Sequence, residues 1–358
     1  MDGVRAESGQ ARQRRREASI DDVARLAGVS GQTVSRVANG RSNVGAATRE
    51  RVLAAMSELG YRPNSAARAL RSGRFRSIGV IVFTLHSYGN LRTLEAVAAA
   101  ATERRYTITL MPLTRPTHAD VGAALDRLVE QAVDGVILLV ESHLAGADGT
   151  GLRRGIPLVV VDSWSADRPA VVDTDQFTGA RLATEHLLDL GHETVRHVAG
   201  PRDSYSAGLR LQGWRDTLRA HGRPVPEPLH GDWYSDSGYA AGQRLAAEPG
   251  LTAVFAANDQ MALGVLRALT EARLRVPQDV SVAGFDDMPE ARNFIPPLTT
   301  VHQDFTAVGA TAVHALVQEI EGGPPAEYRE ITPRLTVRAS TGEPAVRRPG
   351  TSLPAAGG

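Results

Sequence analysis

Polar side chains stand directly after short apolar runs, where the strands of a parallel sheet would end. The candidates are Asp162, Asn258 and Asp286 at strand ends, Arg210 early on a predicted helix, and Trp233 in a loop. Ligands of open parallel sheets bind beyond the carboxyl ends of the strands. Charged and amide groups bind hydroxyls, and an indole covers an apolar face, so we predict a polyol site.

Each candidate also has a structural alternative. Asn258 and Asp286 could cap helices, Arg210 could form a surface ion pair and Trp233 could be core. Asp162 and Asp286 could also be the two carboxylates of a glycosidase, although no general-acid environment is evident. The shared position at strand ends favours the binding site. The chain has no His-rich metal spacing, nucleophile elbow or P-loop, so we predict neither an enzyme nor a cofactor or metal site.

A second candidate site lies near the N-terminus, where Gln32 and Arg36 are four residues apart on a short predicted helix and share a face. Arg pairs with guanine edges and Gln with adenine edges in the major groove. Thr33, Ser35 and Asn39 suit phosphate contacts, which set register. An ordinary solvated helix face fits the same pattern equally well.

Three short helices would position this face. The first helix is predicted to begin at the capping pair Ser19 and Asp22 and to end at Gly28. The second is predicted to begin at Ser30 and to end at Asn39-Gly40. The third is predicted over 47–59, with Val52, Met56 and Leu59 facing inward. Two helices joined by a tight turn and supported by a third form a helix-turn-helix.

From residue 77 the chain alternates between apolar runs and helical stretches. The predicted strands are 78–83, 107–111, 135–140 and 158–161, then 194–199, 253–256 and 281–285. Such alternation predicts parallel sheets, and two series predict two lobes with a cleft between them. The fold class is therefore a two-lobed α/β core of two doubly wound parallel sheets, with an all-α domain before it.

Composition fits this organisation. The 358 residues, 42% of them hydrophobic, suffice for two or three domains, and there is no cysteine. Residues 1–76 hold 15 of the 40 basic residues and 7 of the 40 acidic ones, which gives +8 there and −8 in the rest. A basic front end on an acidic body is typical of a nucleic-acid reader. With no signal-peptide or membrane-spanning pattern, we expect a soluble, cytoplasmic, nucleoid-associated protein.

The N-terminal motifs resemble the LacI/GalR (lactose/galactose repressor) family. The matching runs are IDDVARLAGVS at 20–30, TVSRV at 33–37, NG at 39–40, TRERV at 48–52 and LGYRPN at 59–64. The body resembles the lactose-responsive branch through LGH at 190–192, AGP at 199–201, GDW at 231–233, ANDQMALG at 257–264, IPPLTT at 295–300 and QDF at 303–305. Two departures are Gly31, where the family usually has a side chain that helps choose the operator, and Gly45, where it often has a Ser cap.

The resemblance implies a DNA-binding repressor with an N-terminal reader and a hinge. The implied DNA contacts are Ser30, Gln32, Thr33, Ser35, Arg36 and Asn39 in the reader, and Asn64, Ala67 and Leu70 in the hinge. Six or seven residues cannot hold a helix alone, so the hinge would fold only on the operator, with Leu70 wedged into the minor groove. Without the resemblance, a plain linker would be the simpler interpretation.

The resemblance also implies an effector pocket between the lobes. Its lining would be Leu85, Ser87, Asp162, Arg210, Trp233, Asn258, Asp286, Gln303 and Phe305. These residues suggest a galactoside or another glycoside. Leu139 and Thr174, however, stand where the lactose-responsive branch has a polar amide and an aromatic residue, which leaves the particular sugar open.

The expected domains are a disordered basic tail (1–18), the reader (19–62), the hinge (63–76), the core (77–340) and a disordered tail (341–358). The first lobe would hold 77–174 and 304–332, and the second 175–303 and 333–340. The helix 93–104, rich in small residues, would form a homodimer on a pseudopalindromic operator. The tail has no heptads, so we expect no coiled-coil tetramer.

Two alternatives stay open at this point. Within the family, a corepressor that is not a sugar could strengthen operator binding instead of weakening it. From a different class, the body could be a sugar-binding transport protein or a glycoside-processing protein, although the basic front end argues against both.

Overall fold

The computed structural model describes residues 18–40, 43–62, 73–85, 87–113, 117–139, 155–161, 170–324 and 327–345. Contacts within the chain divide it into two units, one ending at Phe75 and one beginning at Arg76. Residues 1–17 of the predicted basic tail, residues 63–72 of the predicted hinge and residues 346–358 of the predicted C-terminal tail lie outside the described residues.

The first unit contains three helices, α1 (Ile20–Ala27), α2 (Gly31–Ala38) and α3 (Ala46–Glu58). Ser19 and Asp22 form a capping box at the start of α1, which ends at Gly28 with a left-handed φ of 65°. The Ser30 hydroxyl accepts a hydrogen bond from the Thr33 amide and caps α2. The predicted helix-turn-helix is therefore confirmed, with the local caps that the sequence indicated.

The third helix differs from the prediction at Leu59. Gly45 precedes α3 without a side-chain cap, as expected for a residue with no hydroxyl. Val52 and Met56 join the core of the unit, but Leu59, predicted to face inward, is 37% exposed. Gly60 has a φ of 62° and turns the chain, so that Tyr61 packs on this end of the core in place of Leu59.

The second unit contains two six-stranded sheets. The strands are β1 (Ser77–Val82), β2 (Thr107–Pro112), β3 (Gly135–Leu139), β4 (Leu158–Val161), β5 (Ala170–Thr174), β6 (Arg196–Ala199), β7 (Leu229–His230), β8 (Ala253–Ala256), β9 (Ser281–Asp286), β10 (Thr299–His302), β11 (Arg329–Ile331) and β12 (Arg334–Thr336). The helices are α4 (Tyr88–Glu103), α5 (His118–Glu130), α6 (Gln176–Asp189), α7 (Tyr205–Ala220), α8 (Ser235–Ala246), α9 (Asp259–Glu271) and α10 (Phe305–Ile320), with a 3₁₀ turn at Pro289–Asn293.

Both sheets have the same strand order. The first runs β2-β1-β3-β4-β5-β11 and the second β7-β6-β8-β9-β10-β12. This is a doubly wound arrangement, in which ligands bind where the strand order reverses. The predicted parallel pairing holds except at one edge, where β12 pairs with β10 antiparallel.

The chain passes between the two sheets three times. It leaves the first sheet after Thr174, returns after His302 and crosses again between β11 and β12. After the second crossing, α10 packs on α4 so closely that a Cβ on Gly309 would lie 2.5 Å from the Ala96 Cβ. Ala96, Val97 and Ala100 thus pack inside their own lobe, whereas Ala98 and Ala99 on the same helix are exposed, and the dimer role of this helix stays a prediction.

The cores of the two lobes differ in composition. The clusters around the first sheet are mostly aliphatic, with Ile78, Val80 and Leu139 fully buried or nearly so. In the second lobe, the His197 ring stacks between Trp214 and Phe255, with ring centroids 5.1 and 4.8 Å away. Burial lowers the pKa of His197 to about 3. No helix among the described residues is long and apolar enough to cross a membrane.

Candidate functional site

The outer face of α2 presents the two predicted base-reading side chains. Gln32 and Arg36 are exposed, whereas Val34 and Val37 on the opposite face are buried in the core of the first unit. A four-residue spacing on a helix gives neighbouring side chains. Both side chains can therefore enter a groove together while the helix stays packed on its domain.

The short polar residues of this helix are engaged locally. Ser30 Oγ lies 3.0 Å from Thr33 Oγ1 and also caps the helix. Asn39 donates from Nδ2 to the Ser35 carbonyl oxygen, 2.6 Å away. A hydroxyl that accepts from the backbone still has its own proton to donate, so these groups can contact phosphates. The predicted contacts Asn64, Ala67 and Leu70 lie outside the described residues.

A cleft lies between the lobes of the second unit at the carboxyl ends of the strands. It is lined from both lobes by Ser87, Tyr88, Gly89, Ser206, Arg210, Trp233, Asn258, Asp286, Gln303 and Phe305. Seven of the nine pocket residues implied by the family resemblance are in this set. The doubly wound topology explains the location, because the turns after β6, β8 and β9 open on the same edge.

Arg210 and Asp286 form the charged centre of the cleft. Arg210 Nη1 lies 3.6 Å from Asp286 Oδ1, and both side chains are more than nine-tenths buried. The guanidinium carbon lies 3.9 Å from the Phe285 ring centroid and 5.3 Å from that of Trp233. Its Nη1 also donates to the Ala257 carbonyl oxygen. Arg210 is thus held between two aromatic rings instead of forming a surface ion pair.

Asp286 occupies a strained position at the end of β9. Asp286 and Asp287 have φ angles of 111° and 53°, which residues other than Gly rarely adopt. The neighbouring carboxylate holds this turn: Asp287 Oδ2 lies 3.0 Å from His302 Nδ1, and Oδ1 lies 2.6 Å from Arg338 Nη2. Asp287 therefore fixes the backbone that directs Asp286 into the cleft.

Trp233 forms one wall of the cleft. It follows β7 with a φ of 77°, and its ring lies over Gly200, which follows β6. A Cβ on Gly200 would be 2.4 Å from the indole Cη2, so only glycine allows this contact. The partly buried ring packs against the core of the second lobe and also lines the cleft.

The side chains of Asn258 and Asp259 point in different directions, although both residues follow β8. Asn258 accepts from the Met261 amide at 2.8 Å and donates to the Trp233 carbonyl oxygen at 3.0 Å, so it caps α9 and holds the Trp233 loop. Asp259 is turned away from the cleft and accepts from the Met288 amide at 2.8 Å. Burial, with a smaller contribution from the charge of Asp286, raises the pKa of Asp259 well above its ordinary value.

The first lobe contributes mainly aromatic and small groups. Tyr88 and Phe305 meet edge to face with ring centroids 5.8 Å apart. Ser87 Oγ accepts from the Asn90 amide at 3.3 Å and so caps α4. Burial raises the pKa of Tyr88 to about 12, and its hydroxyl stays a hydrogen-bond donor at neutral pH.

Some sequence-based candidates are not found in the cleft. Leu85 does not line it and is 41% exposed, because β1 has ended at Val82 and the bend before α4 turns this side chain outward. Asp162 lies outside the described residues. Leu139 and Thr174, the two departures from the family pattern, are buried within the first lobe and do not line the cleft.

Three lining residues were not predicted. Ser206 could have been found, since it lies four residues before Arg210 and shares its helix face. Tyr88 and Gly89 follow Ser87 at the start of α4, but the sequence alone does not show which side chains a first helical turn directs inward. Gln176 lies behind the cleft and donates to Gln303, a contact between residues 127 positions apart.

The chain matches two family models and several known proteins. Residues 19–64 match bacterial regulatory proteins of the lacI family, and residues 184–341 match a periplasmic binding protein-like domain. It is 38% identical to the lactose operon repressor of Escherichia coli (strain K12) over 85% of each chain. The solved lac repressor dimer, bound to operator and the anti-inducer ONPF, superposes with a TM-score of 0.82 at 35% identity, over 91% of this chain and 100% of that one. A transcriptional regulator CelR–cellobiose complex gives 0.67 at 33% identity, over 90% and 99% of the two chains.

An N-terminal helix-turn-helix and a two-lobed core with a binding-protein fold define a class of DNA-binding regulators. The chain belongs to the LacI family of bacterial regulatory proteins. It is a DNA-binding transcriptional repressor of that family and not an enzyme.

Proposed function

We propose that this repressor is controlled by a sugar-like effector, a galactoside or another glycoside, that binds between the two lobes. Residues 19–62 would read the operator, 63–76 would form the hinge and 77–340 would bind the effector. The observation that carries the proposal is the cleft, where Arg210 and Asp286 offer paired donors and acceptors. Trp233 and Phe305 offer apolar faces in the same space. This combination suits a ring with hydroxyls on its edge and C–H groups on its faces.

The named relatives support the sugar class. One is the repressor of the lactose operon, and a solved regulator with a similar chain holds cellobiose. The hydroxyl groups of an effector would replace water on Arg210, Asn258 and Asp286 without leaving a buried charge unpaired.

In the proposed mechanism, a homodimer binds a pseudopalindromic operator through two copies of α2. The dimer and operator of the solved lac repressor support this arrangement. Gln32 and Arg36 would contact base edges, while Asn64, Ala67 and Leu70 of the hinge would contact the minor groove. An effector that binds more tightly to one lobe orientation would shift operator affinity only as far as its affinities for the two orientations differ.

The effector part is tested with Asp286→Ala and a matched surface variant, Asp216→Ala, whose carboxylate lies on the exposed face of α7. The operator is first selected from random duplexes with the wild-type chain. A thermal-shift screen of mono- and disaccharides then identifies the sugar that binds. We expect Asp286→Ala to retain operator binding and lose the sugar response, while Asp216→Ala keeps both. A normal sugar response in Asp286→Ala would refute the assignment of the cleft.

The same titration decides between the two modes of control. Release of the operator by the sugar supports induction, whereas tighter binding supports a corepressor. If no saccharide shifts the melting temperature but a non-sugar metabolite does, the glycoside proposal is wrong.

The DNA-reading part is tested with the double variant Gln32→Ala/Arg36→Ala. Its control is Arg25→Ala, which removes one exposed arginine from α1. The double variant should lose its preference for the selected operator and keep salt-sensitive, non-specific binding. Unchanged operator preference would contradict the assignment of α2.

A further inference from the structure

Gln176 and Gln303 stand where the chain crosses between the lobes. Gln176 is the first residue of α6, directly after the crossing that follows β5, and Gln303 follows β10 at the second crossing. The two residues are 1% and 4% exposed. A buried amide without partners destabilises a fold, so the contacts of this pair determine what it does.

The two amides belong to a closed circuit with the charged centre of the cleft. Arg210 donates from Nε to Gln176 Oε1 at 2.8 Å, and Gln176 donates from Nε2 to Gln303 Oε1 at 3.1 Å. Gln303 then donates from Nε2 to Asp286 Oδ1 at 2.6 Å. The 3.6 Å ion pair between Asp286 and Arg210 closes the circuit.

The circuit has one consistent direction. A guanidinium can only donate, so Gln176 must turn its oxygen toward Arg210 and its NH₂ toward Gln303. Gln303 must then turn its own oxygen toward Gln176, which leaves its NH₂ for the Asp286 carboxylate. Neither amide can flip without breaking two hydrogen bonds, and Oδ1 of Asp286 is the acceptor that completes the circuit.

Gln176 differs from the other three members because it does not line the cleft. It contacts Arg210 and Gln303, both of which line the cleft, so it can act on an effector through them. It also joins two crossing segments that must bend if the lobes change orientation. These hydrogen bonds therefore give a route by which a movement of either crossing can reach Arg210.

We propose that Gln176 is a positioning residue of the effector site, which orients Arg210 and Gln303 and links their geometry to the lobe crossings. This proposal rests on the proposed effector function of the cleft. Loss of a buried hydrogen bond to a charged group reduces affinity by about ten- to a hundredfold. That is the loss expected for an effector that contacts Arg210.

The test compares Gln176→Leu, Gln176→Glu and a control, Thr184→Val. Thr184 lies on the same helix, is fully buried and donates only to the Ala180 carbonyl among the contacts described, so its loss reports a polar deletion outside the circuit. Gln176→Glu keeps an acceptor for Arg210 but cannot donate to Gln303. The Gln176→Glu variant therefore keeps the test decisive if Gln176→Leu does not fold.

The first readout needs no effector. Solvent exchange of the Arg210 Nε–H, measured by ¹⁵N NMR of the full-length chain, should be slow in wild type, Thr184→Val and Gln176→Glu. It should be at least tenfold faster in Gln176→Leu. Equal exchange in Gln176→Leu and wild type would overturn the proposal whatever the effector is. If Gln176→Leu does not fold, fast exchange in Gln176→Glu would overturn it and slow exchange would support it.

The second readout is calorimetric titration with lactose, methyl β-D-galactoside and cellobiose. For any of these that binds wild type, Gln176→Leu should bind about ten- to a hundredfold more weakly and Thr184→Val within twofold. Equal losses of sugar affinity in Gln176→Leu and Thr184→Val would show that Gln176 has a merely structural role and would overturn the proposal. If none of the three sugars binds wild type, the glycoside assignment loses support, and the exchange measurement still decides the role of Gln176.

Discussion

The first lobe and the second lobe wind their sheets in the same strand order, but their interiors differ in chemistry. The first is filled mostly by aliphatic side chains and adds a tyrosine, a phenylalanine and a helix cap to the cleft. The second buries an ion pair, a histidine between two aromatic rings and a capping asparagine. The comparison suggests that the second lobe supplies polar recognition and the first supplies the covering surface.

The largest expected effect comes from separating the ion pair of the second lobe. Arg210→Met leaves the buried Asp286 carboxylate without its cation, and such a loss costs about 3–5 kcal/mol. Urea unfolding followed by circular dichroism measures this change. The double variant Arg210→Met/Asp286→Met should recover a large part of the loss, because it removes both charges. Additive losses would show that the two groups do not act as a pair.

The glycines at the cleft give a second, smaller contrast between the lobes. Gly200→Ala in the second lobe would push the Trp233 ring aside and should cost about 1–3 kcal/mol of unfolding free energy. The matched variant in the first lobe is Gly89→Ala, whose Cβ would lie 3.5 Å from Phe305 Cε1, an ordinary contact. Because Gly89 lies in α4, alanine there should be neutral or slightly stabilising. Equal destabilisation at both sites would contradict the comparison, and thermal melts of the two variants measure it.

The second lobe should also make the stability of the protein depend on pH, with a free energy of unfolding that decreases gradually as the pH falls. The pKa of His197 is lowered to about 3 from the ordinary 6.5, so the fold favours the neutral ring. The contribution of the neutral His197 ring to the free energy of unfolding is fully present above pH 6.5. It decreases by about 1 kcal/mol per pH unit as the pH falls toward 3. His197→Phe should flatten the dependence of unfolding free energy on pH in this window. The exposed His221→Phe is the control, and a slope unchanged by His197→Phe would refute the assignment.

Local signals made the first unit predictable. Ser19 with Asp22, Gly28 and Ser30 act within one helical turn, so the sequence fixes both ends of α1 and the start of α2. Leu59 is predicted to face inward because the helical spacing of apolar residues extends to this position. In the structure α3 ends at Glu58 and Gly60 turns the chain, so the helical spacing no longer applies to Leu59. The strands β4 and β8 were also predictable, since each is a short run of buried apolar residues.

Features that depend on contacts between residues far apart in the sequence could not be predicted. The edge strands β7, β11 and β12 are two or three residues long, and only their neighbours define them. The residues of the cleft could be inferred from strand ends and from family resemblance. The direction of the amide circuit could not, because Gln176 meets Gln303 across 127 positions and its orientation depends on Arg210.

The repeated crossing of the chain has a consequence for synthesis on the ribosome. The core of the first lobe includes Val308, Val313 and Leu316 from α10, which is translated more than a hundred residues after β5. Nearly all of the second lobe is continuous between Gln176 and His302. Most of the second lobe is therefore synthesised before the first lobe receives the helix that closes its core.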